Sequence, residues 1–234
     1  MKRTVSALVL LLAFSGAAFA NETQLEKASN VVHEIMDAPD HGIPHDLLSK
    51  AVCVGIVPSE LKGAFIFGGT YGRGVLVCRR HGNGPWGPPS EFGLGGGSFG
   101  FQIGGEATDV VFLVMNEAGA RKLVGDKVKL GGDVSAAAGP VGRTAEGATD
   151  AELHAEILSY SRTRGLFAGI SLSGAVFRTD HDGNRRLYGG DIDSKDILIR
   201  GLVPRIPPEA AALDRELSRY SARGGQAFAS LQGR

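Results

Sequence analysis

The chain has 234 residues, 43% of them hydrophobic and 21% charged, which is ordinary globular usage and too apolar for a disordered protein. Glycine is the outlier at 35 residues, roughly twice the usual share, without the three-residue period of collagen. Twenty-five basic residues balance 25 acidic ones, which argues against a nucleic-acid partner, because such proteins carry a large basic excess.

The first twenty residues read as an address. Lys2 and Arg3 precede an apolar stretch at 5–14, and Ala18-Phe19-Ala20 places small residues where a signal peptidase cuts. Residues 1–20 are therefore expected to be a signal peptide, removed near Ala20. The mature chain from Asn21 is expected in the periplasm or released outside the cell. It carries 23 basic and 25 acidic residues. Two cysteines remain, Cys53 and Cys78, each in an apolar run. If the two runs pair in the right register a disulfide closes; otherwise both are buried thiols acting as small hydrophobes.

Residues 22–36 predict an amphipathic helix, with Leu25, Ala28, Val31, Val32, Ile35 and Met36 at three- and four-residue steps. A short second helix is expected at 45–50, entered through Pro44. From residue 51 the pattern becomes short runs of Val, Ile and Phe punctuated by glycine. Strands are predicted at 52–57, 64–67, 74–79, 97–104 and 109–115. A helix at 117–124 follows, then strands at 128–130, 133–138, 157–162, 167–177 and 196–199. Past the proline-rich stretch 204–208, Ala211, Leu213, Leu217, Tyr220 and Ala227 give a weaker helical stripe. Strands this dense, with no long helices between them, argue against a doubly wound parallel sheet. The fold class expected is α+β: a strongly curved, mostly antiparallel, glycine-rich sheet or barrel, with an N-terminal amphipathic helix and a C-terminal helical tail. The glycines are there because a tightly bent sheet brings backbones close enough for a Cβ to clash. One domain is expected over 22–202, with the tail at 203–234.

Few motifs carry chemistry. Gly95-Gly96-Gly97-Ser98-Phe99-Gly100 matches the dinucleotide pattern G-x-G-x-x-G, but Phe101-Gln102-Ile103-Gly104 after it alternates like a strand where that site needs a helix. Asp180, Asp182 and Asn184 place oxygens at alternate positions as a calcium loop does. Arg185 stands where such a loop needs glycine and Asp191 where it needs glutamate, so a turn from Phe177 to Leu187 is the favoured reading. No nucleophile elbow and no H-E-x-x-H pair occurs. No enzyme activity, cofactor or metal is expected. Trp86, between Pro85 and Pro88, is read either as a plug over the core, the favoured reading, or as an interface anchor.

Several stretches together resemble the SYLF-domain family, an actin- and lipid-binding domain. They are Lys62-Gly63-Ala64-Phe65 with Gly68-Gly69-Thr70-Tyr71-Gly72-Arg73-Gly74-Val75, then Trp86 with Pro88-Pro89, and the glycine run 96–104. Leu130-Gly131-Gly132-Asp133, Gly139-Pro140-Val141-Gly142, Ser159-Tyr160-Ser161-Arg162, the run 165–174 and Tyr188-Gly189 continue the set. The resemblance spans about residues 24–200 and is to a secreted bacterial member. It implies a non-enzymatic module that binds membranes, eukaryotic relatives contacting phosphoinositides partly through an amphipathic amino-terminal helix and some bundling actin. On that reading Leu25, Lys27, Val31, Val32 and Ile35, with Lys62 and Arg73, contact a phospholipid or membrane surface; simple core packing of the stripe is the alternative. Lys27 is the only lysine or arginine in the helix, beside Glu22, Glu26 and Glu34. With about 1 kcal/mol contributed per basic residue near an anionic surface, its electrostatic pull is weak. Binding to another envelope protein is the second functional expectation, and actin is not expected as a partner in a periplasm.

Overall fold

A computed structural model describes residues 22–37, 42–58, 69–97, 108–141, 154–163 and 166–221. Helix α1 is Gln24–Met36 and α2 is His45–Lys50. Strands β1 (Cys53–Val57), β2 (Gly69–Cys78), β3 (Ser90–Gly97) and β4 (Asp109–Val114) follow. Then come helix α3 (Glu117–Leu123) and strands β5 (Lys127–Lys129), β6 (Ala136–Ala138), β7 (Ile157–Thr163), β8 (Leu166–Gly169) and β9 (Val176–Thr179). Helix α4 (His181–Tyr188), a π-helical turn at Asp196–Arg200 and helix α5 (Ala210–Tyr220) complete the order.

The strands form one sheet in the order β5-β9-β3-β2-β1-β4-β7, with β6 and β8 sharing the outer side of β7. Every pairing is antiparallel except β6 with β7. The sheet curls into a half-barrel with helices at its ends, the α+β class expected. Both faces are covered. On one, Val54, Ile56, Val75, Val77, Val111, Leu113, Leu158 and Tyr160 meet the apolar sides of α1, α2 and α5. On the other, Cys53, Val57, Leu76, Phe92, Phe112 and Val114 meet Leu123 of α3, Tyr188 of α4 and Ile197-Leu198. Strands β1 and β4 are buried along their whole length, which is why they read as unbroken apolar runs rather than alternating ones.

Helix α1 begins where its sequence says it should. Thr23 accepts from the Glu26 N–H at 3.2 Å and Glu26 accepts from the Thr23 N–H at 2.7 Å, a reciprocal capping box. Leu25, Ala28, Val31, Val32 and Ile35 are all buried against α5 and the sheet. Each large side chain among them contributes roughly 1.5–3 kcal/mol by leaving water. Close packing explains glycine at the sheet's outer edge as well. A Cβ on Gly169 would stand 2.1 Å from the Gly139 carbonyl oxygen, where β8 takes over from β6 along β7.

Four expectations need correcting. The strand expected at 97–104 begins earlier, as β3, and residues 98–107 lie outside the described residues, as does the strand expected at 64–67. The run 167–177 is two strands, β8 and β9, separated by a turn through Gly174, whose φ of +90° suits a residue without a Cβ. The strand expected at 196–199 is a π-helical turn, because Asp193 caps its start by accepting from the Lys195 N–H at 2.7 Å and Gly201 ends it. The turn expected at 180–184 is the start of α4, with Asp180 as its cap. Residues 95–97 are strand, paired with 69–71, while 101–104, on which the curved-strand reading of the glycine run turns, lie outside the described residues.

Candidate functional site

The residues singled out from sequence do not converge on one surface. Leu25, Val31, Val32 and Ile35 point into the core, so in this conformation the α1 stripe packs and does not face a bilayer. Lys27 is half-buried at the rim of a surface groove of about 300 Å³, shared with Glu22, Asn30, Val31, Glu34, Pro58 and Asp109. Three carboxylates against one ammonium make that groove a poor seat for an anionic headgroup. Lys62 lies outside the described residues.

Arg73 is held inward by carboxylates. Its Nη2 donates to Asp180 Oδ2 at 2.7 Å and to Glu91 Oε2 at 3.1 Å, and its carbonyl accepts from Gln24 Nε2 at 2.6 Å. It thereby ties β2 to β3, to α4 and to α1. Asn184 completes the junction, accepting from the Glu91 N–H at 2.8 Å and donating to Ser90 Oγ at 3.0 Å. The oxygens that resemble an ion loop in the sequence are therefore committed elsewhere. Asp180 caps α4 by accepting from the Gly183 N–H at 2.8 Å, and Asp182 pairs with Arg185 at 2.9 Å. Among the described residues no group of three or more His, Cys, Asp or Glu is placed to hold a metal ion.

The junction is tuned. Burial raises the Glu91 pKa, and that outweighs the neighbouring Arg73. Asp180 also suffers burial, yet the Gly183 N–H and the Arg73 guanidinium together bring its pKa down. Stability linked to Asp180 is thus complete above its ordinary value of 3.8 and is lost as pH falls through the lowered folded value. Glu91 works the other way, its contribution being complete below 4.5 and fading as pH rises through its raised value. Asp180→Asn keeps an oxygen for the cap and removes the charge. As pH falls below about 4, the urea midpoint of the variant should fall less steeply than the parent's. Identical slopes would show that this carboxylate adds no acid-side stability.

Cys53 and Cys78 stand opposite each other on β1 and β2 and are joined by a disulfide. Trp86 is buried, donating from Nε1 to Ser221 Oγ at 3.1 Å, with the Arg79 guanidinium 3.9 Å from its ring centroid. It plugs the core. Arg79 reaches further, donating to the Ala51 carbonyl at 3.1 Å and the Ser221 carbonyl at 3.2 Å, so β2 fastens the end of α5. Tyr220 fastens it from the other side by donating to Asp37 Oδ1 at 2.5 Å. That bond, above all, holds the Asp37 carboxyl below its usual range.

One surface was missed. Among the described residues the large apolar side chains most exposed are Tyr71, Leu166, Ile199, Leu202 and Ile206, and three of these five fall within residues 199–206. Its signal in the sequence is aliphatics interleaved with Arg200, Arg205 and prolines, a pattern that also fits a strand and a linker.

The geometry defines a class: a curled, glycine-packed sheet braced by helices at its ends, in which the polar groups described above tie its elements together. The family described as "Ysc84: Las17-binding protein actin regulator" matches residues 95–220. The chain is 35% identical over 204 residues to Protein YSC84 of Saccharomyces cerevisiae, covering 84% of this chain and 43% of the relative. It is 38% identical over 182 residues to LAS seventeen-binding protein 3 of the same yeast, covering 76% of this chain and 39% of the relative. With the human SH3 domain-containing YSC84-like protein 1 it shares 32% over 206 residues, 86% of this chain and 59% of the relative. The chain belongs to the Ysc84, or SYLF, family. It spans under half the length of these yeast relatives. The family's description is of a binding protein and regulator and names no reaction. It also bears against the expectation that actin is not a partner, since it names an actin regulator.

Proposed function

We propose that the chain is a non-enzymatic module that binds a phospholipid membrane surface outside the cytoplasm, exported by the leader in residues 1–20. The exposed aliphatic side chains Ile199, Leu202 and Ile206, interleaved with Arg200 and Arg205, support this reading, and the packing of the interior limits where lipid can be met. The apolar space among α1, α2, the sheet and α5 measures about 10 Å³, room for a single water-sized sphere and none for a lipid tail. On this reading lipid is met at the surface formed by the described residues. The buried Cys53–Cys78 bridge supports an oxidising compartment. The form to test is the mature chain expected after removal of the leader, Asn21 to Arg234. It should co-sediment with vesicles of phosphatidylethanolamine, phosphatidylglycerol and cardiolipin; failure with every mixture of these ends the reading.

A protein partner is the second reading, favoured by the description of the family as an actin regulator. Pelleting with filamentous actin, and blank vesicle assays, would put it first.

A further inference from the structure

The surface at residues 199–206 has the chemistry a bilayer asks for. Ile199, Leu202 and Ile206 are 41%, 62% and 52% exposed, large values for aliphatic side chains. The segment carries Arg200 and Arg205 and no carboxylate. The π-helical turn packs beside the turn at Arg80–Gly82, and a Cβ on Gly201 would stand 3.9 Å from the Arg80 guanidinium carbon. Arg200 is steadied by Asp196 at 2.6 Å, while Arg80 and Arg205 are exposed. Arg200 is paired with Asp196 and the Glu117 carboxylate lies beside Gly82, so the exposed aliphatic side chains, with Arg80 near Gly201 and Arg205 next to Ile206 in sequence, keep a small positive excess that suits an interface anionic outside and apolar just beneath.

The segment is also held in shape before any ligand arrives. Ile197 and Leu198 are buried beneath it, Pro207 is buried at its far end, and the Leu202 N–H donates to the Asp196 carbonyl at 2.8 Å. Binding therefore orders little chain. Helix α1 offers no such surface, since its aliphatic face would first have to leave the core.

We propose that Ile199, Leu202 and Ile206, with Arg80, Arg200 and Arg205, form the membrane-docking surface of this protein, its ligand being an anionic bilayer. This rests on the membrane reading above and replaces α1 as the element that makes contact. The experiment uses residues 21–234 and vesicles of phosphatidylcholine with or without phosphatidylglycerol. Parent protein should bind the anionic vesicles and bind pure phosphatidylcholine weakly. Leu202→Ser with Ile206→Ser should weaken binding about tenfold, and Arg80→Ala and Arg205→Ala about fivefold each at low salt. Thermal melts matching the parent's would show the variants folded, as expected for exposed side chains. If the parent binds and the variants bind equally well, the docking surface is wrong and the membrane reading stands. If the parent binds neither these vesicles nor the phosphatidylethanolamine, phosphatidylglycerol and cardiolipin mixtures, both fall. If the parent self-associates in sedimentation velocity and Leu202→Ser with Ile206→Ser abolishes it, a second copy occupies the patch and the proposal is overturned.

Discussion

Replacing Cys53 and Cys78 together by alanine is expected to lower stability by about 3 kcal/mol. The two cysteines are 25 residues apart in sequence, so the bond removes the entropy of a loop of that length from the unfolded chain. The folded state changes little. Both positions are buried, at 0% and 2% exposure, on the face shared with Leu76 and Val114, and alanine leaves no polar group stranded there. The strand ladder also survives, because it runs through backbone groups of the Cys53↔Cys78 pair and its neighbours. For a domain of this size a loss of that magnitude corresponds to a fall in Tm of about 10 °C. Calorimetry of the parent and the double variant measures it directly. A Tm within a degree or two of the parent's would mean that the ladder alone already confines the loop in the unfolded ensemble.

How much of the fold can be read in advance depends on what each residue sees nearby. Helix α1 is legible because its determinants are local: Thr23 and Glu26 cap it, and its buried residues recur at helical spacing. Strands β1 and β4 are legible because continuous burial leaves continuous apolar runs. Helix α4 is not, because Asp180, Asp182, Gly183 and Asn184 are turn formers by type. They become a helix since Asp180 caps it, Gly189 ends it at φ +80°, and Asn184 finds its partners 93 and 94 residues away. Strand β3 starts earlier than its sequence suggests because six of the eight residues in 90–97 are Gly, Ser or Glu, leaving Phe92 and Leu94 to carry the period-two signal.

The site was less legible than the fold, for a related reason. An amphipathic stripe has the same pattern whether it meets a core or a membrane, and only the packing of α5 on α1 decides which. Arg73 reads as a free cation until Glu91, 18 residues on, and Asp180, 107 residues on, are brought to it. Conversely, Ile199 to Ile206 reads as strand and linker until the neighbouring elements bury Ile197 and Leu198 and leave the rest outside. Chemistry that depends on long-range pairing appears only with the fold.

Gly55→Ala should cost about 3 kcal/mol, although alanine is the better strand residue. Gly55 sits in β1 directly opposite Phe112 of β4, and its φ is not in the left-handed region, so nothing in the backbone demands glycine. The demand is steric. A Cβ there would lie 2.1 Å from Phe112 Cζ and 2.4 Å from Cε1, inside the ring's own volume. Phe112 cannot swing aside, being fully buried with Phe92 edge-on at 5.7 Å and Phe177 stacked on Phe92 at 4.5 Å. The extra methyl must therefore displace a three-ring stack or spread β1 from β4, either of which loses dispersion contacts across the core. Phe112→Leu opens space at the same point, so the two changes together should cost less than their sum by more than about 1 kcal/mol. Urea unfolding of the parent, both single variants and the double variant gives that coupling. Additive losses, or a Gly55→Ala variant as stable as the parent, would refute the claim that glycine is here because the sheet packs a ring where a side chain would stand.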